Sequence, residues 1–406
     1  MRLLPSFSSC FAYVLLGAVL LTSAALAAEG RQVRIVRIQG EGATVTVNGA
    51  SRPASLNMAL EPNAVITTTN QEVYVEVETG IVATVAGNST VAVGVLNASD
   101  VQLELRSGQV ISQIDKNRAG KARYGVKTGK GVAAARGTSY SVTVNGEATT
   151  ILTTADTVEF TSPSGGRVVI QAGMVSFTPP GATQPLDAVP LAQAAASNPE
   201  VSALLTNAVT AASTVVQNNL GNISGGAAAD ILTQVVAVAS AANPAQAASY
   251  TATAVAAATA PGSATSGSAG VTAGAITAAA VAAVPAQAAQ IAGAAAGAAP
   301  NHAGVITAAA QQVAPAAADA ITEQVADTTG QSPANVQQNA NANAAQATEA
   351  VNNARESTSN VVSPGPGPDA PPPGAQNSGD SESQTTTTDQ SPSTPVDPAI
   401  GVSPAG

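Results

Sequence analysis

Few residues in this sequence have the types and the spacing that chemistry requires. His302 is the only histidine and lies in an alanine-rich stretch, and a single histidine provides neither a metal cluster nor an acid–base pair. Glu76 and Glu78 alternate along a predicted strand and share one face, where we expect them to be solvated and not to act as hydrolytic carboxylates. Lys127 and Lys130 each lack part of the glycine–lysine–serine/threonine pattern of a phosphate-binding loop. We therefore predict no catalytic, cofactor-binding or metal-binding residues, and no enzyme.

Basic side chains are concentrated in one segment that contains no acidic residue. One interpretation is a contact surface for an anionic polysaccharide, lipopolysaccharide or the chain's own acidic tail. The alternative is that these residues are solvated and protect strand edges. Tyr124 is the only aromatic residue among them, so nucleic acid is not an expected partner. The candidate contact residues are Lys116, Arg118, Lys121, Arg123, Lys127 and Lys130.

The first residues have the pattern of a secretory leader. Arg2 precedes an apolar run from Phe11 to Leu21, and Ala25-Leu26-Ala27 fits the cleavage rule, so the mature chain is predicted to begin at Ala28. The alternative is a retained membrane anchor, because a span needs about 20 apolar residues. The single cysteine, Cys10, lies inside the leader, which leaves the mature chain without disulfides or thiolate ligands. We expect an exported protein (periplasmic, cell-surface or secreted) with no transmembrane span once the leader is removed.

The segment from Arg31 to about Phe177 has the pattern of an all-β domain. Short alternating stretches are separated by turn residues at intervals of about 8–12 residues, which predicts a sandwich or a solenoid. Asn48-Gly49 and Asn145-Gly146 each predict a hairpin, because these residues tolerate positive φ. In the segment from Gly131 to Val142, small residues favour close backbone packing, and Gly137 is predicted to adopt a conformation that other residues avoid.

The second half of the chain changes to alanine, valine, threonine and glutamine. Pro-Ala-Gln-Ala-Ala occurs at 244–248 and again at 285–289, which predicts repeated short helices that begin near proline. Helices of this length must stack or fray. We predict a flexible hinge at Gly262–Gly274. The predicted organisation is a leader at 1–27, a β domain at 28–180, a linker at 181–198, alanine-rich helical repeats at 199–351, and a disordered Pro/Ser/Thr-rich acidic tail at 352–406.

The motifs between about residues 55 and 160 resemble, in order and spacing, those of a FecR domain. Leu60–Thr67 resembles its opening strand, and Leu103–Val110 resembles its strand–glycine–strand segment. Ala135–Val142 is similar to the most characteristic part of the family. The structural motif consists of Arg136, Gly137, Thr138 and Tyr140. The resemblance implies an all-β sandwich or solenoid that contacts proteins and has no known chemistry.

The chain departs from this family in two ways. Familiar FecR regulators have a cytoplasmic anti-sigma segment and a membrane helix before the domain, whereas a predicted leader stands there in this sequence. Thr154-Ala155-Asp156 replaces a glycine-centred turn, which leaves the geometry of the last hairpin open. Our first hypothesis is an exported non-enzymatic module of the bacterial cell envelope that binds a protein or an envelope component, or acts as a scaffold. The alternative is an envelope signalling regulator of the FecR type that acts through a membrane partner.

Overall fold

A computed structural model describes residues 32–97, 99–120, 123–135, 137 and 139–361. The predicted leader, Lys121, Arg136, Thr138 and residues 362–406 lie outside the described residues. As the sequence predicts, a β region is followed by a run of helices. The strands are β1 (Val33–Gln39), β2 (Thr44–Val47), β3 (Ala50–Pro53), β4 (Ala59–Leu60), β5 (Val65–Thr67), β6 (Glu72–Glu78), β7 (Ile81–Val85), β8 (Thr90–Leu96), β9 (Asp100–Ile114), β10 (Arg123–Thr128), β11 (Gly131–Ala135), β12 (Ser139–Asn145), β13 (Ala148–Ala155), β14 (Thr157–Thr161), β15 (Arg167–Gln171), β16 (Met174–Thr178) and β17 (Val189–Pro190).

The strands form two sheets that share β9. Sheet A has the order β4-β1-β6-β7-β9-β12-β13-β16-β17. Sheet B has the order β3-β2-β5-β8-β9-β10-β11-β14-β15. The first half of β9 pairs in sheet B and the second half in sheet A, with Gly108 at φ +86° between them. A side chain at Gly108 would overlap Ser89, so this passage between the sheets requires glycine.

The space between the sheets is an apolar core. Side chains alternate along each strand, so that Val101, Leu103 and Leu105 of β9 point inward while the intervening residues face outward. Tyr124 and Tyr140 are fully buried there, and the Tyr124 hydroxyl lies 2.9 Å from Ser112 Oγ. Burial raises the pKa of both phenols. Of the two predicted architectures, a sandwich or a solenoid, the described strands form the sandwich.

Both predicted hairpins form, and one has a different turn from that expected. Asn48 and Gly49 both have positive φ, as the turn between β2 and β3 requires. In the β12–β13 hairpin, Asn145 pairs with Ala148, so the turn is centred on Gly146 and Glu147. Among residues 145–148 only Gly146 has positive φ, at +59°. A glycine at the first central position is sufficient for a primed turn, so Asn145 remains in the strand.

The helical region is a stack of short helices joined without long loops. Pro244, Pro285, Pro300 and Pro315 each begin a 3₁₀ turn that leads into the next helix. The residue before each proline closes the preceding helix; Val284, for example, donates its N–H to the carbonyl of Ala280 at 3.0 Å. The helices are α1 (Leu191–Ser197), α2 (Pro199–Gln217), α3 (Gly225–Ala242), α4 (Ala247–Thr259), α5 (Ala269–Ala283), α6 (Ala288–Ala298), α7 (Ala303–Val313), α8 (Ala318–Thr329), α9 (Pro333–Ala342) and α10 (Ala344–Thr358).

Alternate helices pack in two rows. One row contains α2, α4, α6 and α8, the other contains α3, α5, α7 and α9, and α10 lies across α3, α5 and α7. Gly274 of α5 allows the close approach of α10, because an added Cβ would lie 2.8 Å from the Cβ of Ala350. Gly225–Ala242 and Ser266–Ala283 are long and apolar enough to span a membrane by length and composition, and 61% and 56% of these windows are buried inside the protein.

Two expectations for this region are wrong. The predicted hinge at Gly262–Gly274 is ordered, since the hydroxyls of Ser263 and Thr265 donate to the carbonyl of Ala258 and α5 begins at Ala269. The helical region also extends past residue 351, because α10 continues to Thr358 and buries Ala354. Because the exposed face of α10 is polar, the composition did not predict that the helical region continues beyond residue 351.

Candidate functional site

The outer face of sheet A is covered by helices. Helix α2 packs across β9 and β12, and α3 packs across β13. Tyr74, Val82 and Leu152 project from the sheet into one apolar cluster with residues of these helices. The segment predicted to be a linker, 181–198, contains β17, which pairs with β16, and the whole of α1, whose Leu191 is buried. The β region and the helices therefore share a core.

A buried carboxylate joins the two parts. Asp115 follows β9 and is completely buried. Its Oδ1 accepts the N–H of Asn117 at 2.9 Å, and its Oδ2 accepts the N–H of Ser224, the N-terminal capping residue of α3, at 2.8 Å. The backbone N–H of Asp115 donates to Gly80, whose own N–H donates to Gly221, each at 2.8 Å. These bonds compensate for burying the charge and fix the start of α3 against the end of β9.

The turn before α3 is shaped to fit the sheet. Gly221 has φ +66°, and a side chain there would overlap Val82. Arg118 Nη1 donates to the carbonyl of Asn222 at 2.7 Å, and Arg37 Nη1 donates to Asn218 Oδ1 at 2.8 Å. The cover is therefore anchored at its edge by charge-assisted hydrogen bonds.

The most characteristic segment of the predicted motif lies beside this junction. Gly137 has φ +79°, and a side chain there would overlap Lys116. Gly137, Lys116 and Asp156 line a small cavity of about 30 Å³ together with Asp230 of α3. Burial raises the pKa of Asp156, Lys116 opposes this shift, and the negative charge of Asp230 adds to it. Asp156 itself has φ +52°, which supplies the left-handed conformation that glycine often provides.

The described basic residues have different local surroundings. Lys116 and Arg118 lie at the junction with the helices. Arg123 and Lys127 lie on the outer face of sheet B, where β9 supplies Asp100 and Glu104 at 2.9 and 3.6 Å. Lys130 donates to the carbonyl of Ala182 at 3.0 Å. The sequence segment contains no acid, but the parallel pairing of β9 with β10 places acids beside it.

The other residues that were considered for chemistry contact neighbouring parts of the fold. Glu76 is only 5% exposed and accepts two hydrogen bonds from Arg34, at 2.7 and 2.9 Å, so the expectation that it is solvated is wrong. The helices cover this face of sheet A, which the strand pattern alone could not show. His302 is half-buried beside Gly270. Within the described residues there is no group of three or more His, Cys, Asp and Glu side chains that could hold a metal ion.

One comparison with known proteins matches part of this sandwich. Residues 63–159 match the family described as FecR protein, which confirms the sequence resemblance. A search of curated protein sequences finds no match. Two crystal structures of candidate anti-sigma factors from Parabacteroides distasonis are similar to this chain at 12% and 14% identity, with TM-scores of 0.27 and 0.28. The similarity covers 30% and 31% of this chain and 57% and 59% of those chains, and at these scores it says nothing about function. The FecR match therefore concerns residues 63–159 of the β region.

Proposed function

We propose that this chain is an exported, non-enzymatic protein of the bacterial cell envelope whose FecR-like β region contacts a protein or an envelope component. The observation that carries the proposal is the FecR match at residues 63–159, which coincides with strands β5 to β13 and most of β14 of the sandwich. The FecR family is regulatory and not catalytic. The proposal includes no cofactor and no nucleic acid.

The outer face of sheet B is the proposed contact face. Helices already occupy the corresponding face of sheet A. On sheet B, the side chains of Arg123 and Lys127 are 81% and 51% exposed although each is paired with an acid. Exposed ion pairs contribute little to stability, so these charges are available for exchange with a charged partner. Lys116 and Arg118, by contrast, are committed to the junction with α3.

Export follows from the predicted leader, residues 1–27, which lie outside the described residues. The second candidate is an envelope signalling regulator of the FecR type that acts through a membrane partner. The observation that favours it is the FecR match itself, since familiar members of that family are membrane-linked. The two candidates differ in whether the leader is removed.

The test is fractionation of the natural protein together with N-terminal sequencing. The proposal predicts a soluble or surface-released chain that begins near Ala28. Ala27→Leu should block cleavage and move the protein to the membrane fraction, whereas Leu26→Ala, one residue away, should leave cleavage intact. A membrane-bound natural protein that retains residues 1–27 would contradict the released module and establish the signalling regulator as the better account.

A further inference from the structure

Three polar side chains of sheet A face the helices that cover it. Directly paired residues in an antiparallel ladder project to the same face of a sheet. In each of three pairs, one member packs in the apolar cluster shared with the helices, so its polar neighbour also faces them. The pairs are Tyr74 with Thr84, Val82 with Gln113, and Leu152 with Ser141.

Among the residues that the structure describes, these three polar side chains have no hydrogen-bond partner. Thr84 and Gln113 are 0% exposed and Ser141 is 1% exposed. Neither amide atom of Gln113 has a partner, and neither do the hydroxyls of Thr84 and Ser141. A buried polar group without a partner loses its bonds to water and gains none in return. The closed interface is therefore poorly satisfied at its centre.

Hydrogen bonds between the sheet and the helices lie at the edge of the same interface, although the Nε2 of Gln109 there has no partner among the described residues. Asn207 of α2 donates to Gln109 of β9 at 2.9 Å, on one side of the unpaired residues. Asp115 and Arg118 bond to the turn before α3 at 2.8 and 2.7 Å, on the other side. This interface has hydrogen bonds at its edge and buried polar groups without partners between them. Such an interface is more typical of a contact that forms and breaks than of a permanent core.

We propose that the helices separate from sheet A as a unit while the sandwich stays folded, so that the contact is a releasable cover. Release allows water to reach Gln113, Thr84 and Ser141 and exposes apolar side chains beside them. A surface that mixes apolar area with hydrogen-bonding groups is suited to contact with another protein. The inference does not depend on the proposed function, because opening is measured on the protein alone.

Thiol labelling of single-cysteine variants tests the proposal. Cys10 is the only cysteine, so probes can be placed in the full chain with Cys10→Ser. Ser141→Cys faces the helices, whereas Val142→Cys, the next residue of β12, faces the core between the sheets. We expect Ser141→Cys to react about tenfold faster or more under native conditions, since a partial opening is more frequent than global unfolding. Its rate should also rise less steeply with urea, because partial opening exposes less surface.

A second set of variants separates a releasable cover from a local effect of the probe. Thr84→Cys should repeat the fast labelling of Ser141→Cys at an independent position. Arg118→Ala removes one bond at the edge and should raise labelling at Ser141→Cys several-fold while leaving Val142→Cys unchanged. Equal rates and equal urea slopes for the two neighbouring cysteines would overturn the proposal, as would labelling of Ser141→Cys that does not respond to Arg118→Ala.

Discussion

At Gly137 both the backbone and the available space exclude a side chain. The residue has φ +79°, and a Cβ would overlap the side chain of Lys116. Gly137→Ala is therefore expected to lower the free energy of unfolding by about 2 kcal/mol, from a strained backbone and a displaced neighbour. Gly129→Ala is the matched control, since Gly129 has nothing within 4 Å of an added Cβ. Equal thermal melting of the two variants would show that the geometry at 137 is not required.

Asp156 makes stability depend on pH. Its pKa is raised in the folded protein by burial and by Asp230, against the effect of Lys116, so the folded state binds the proton more tightly than the unfolded state. The resulting contribution to stability is present below the ordinary pKa of an aspartate and is lost as pH rises through the folded pKa. Asp156→Asn should therefore be increasingly more stable than the natural protein as pH rises across this interval.

The measurement for Asp156 is urea unfolding at several pH values between about 3 and 7. Asparagine also tolerates the positive φ at this position, so the substitution does not strain the backbone. Asp187→Asn, in the exposed segment before β17, is the matched Asp-to-Asn control. A pH-independent difference between Asp156→Asn and the natural protein would contradict the assigned surroundings.

Residue roles could be predicted from the sequence where they depend on local backbone. Gly137 was expected to adopt a special conformation, and the structure confirms this with a positive φ. Glu76 could not be placed, because its partner Arg34 is 42 residues away and the pairing depends on the register of β1 with β6. The role of Asp115 could not be predicted either, since its partner Ser224 belongs to the helical region.

Glycine residues determine how closely the helices of the stack approach each other. An added Cβ at Gly274 would lie 2.8 Å from Ala350 Cβ and 3.0 Å from Val305 Cγ1. Alanine favours helices over glycine by about 1 kcal/mol, but Gly274→Ala should still lower the melting temperature because α10 must move. Gly226→Ala, on the open first turn of α3, has no atom within 4 Å and should be neutral or stabilising. The same sign for both variants would contradict close packing at Gly274.

The positions of helices and strands could be predicted from the sequence more readily than the way in which they pair and pack. Proline near the start of several helices and alternation along the strands predicted helices and strands that the structure confirms. The hinge at Gly262–Gly274 was wrong because glycine and serine are typical both of flexible segments and of tight turns closed by hydroxyl bonds, such as that of Thr265. Apart from the isolated Gly108, nothing in the sequence predicted that β9 passes from one sheet to the other.

At the scale of the whole molecule, the sequence suggested a β domain and a separate helical region, and the structure joins them. The alternating pattern predicts only ordinary strand residues at Tyr74, Val82 and Leu152. Alternation indicates that a residue is buried, but it does not indicate which element covers it. The covering helices consist largely of small residues that pack closely against the sheet and against one another. The FecR-like region of this chain thus has one sheet face that is completed by its own helices.

The most direct test of this account is the melting temperature of residues 28–190, which retain every strand, compared with that of residues 28–361. Without α1–α10 the outer face of sheet A exposes its apolar side chains, so the shorter chain should melt at a lower temperature and bind a hydrophobic dye. The longer chain should melt like the full protein. A shorter chain that melts as high as the longer one and binds no dye would contradict the claim that the helices complete the FecR-like fold.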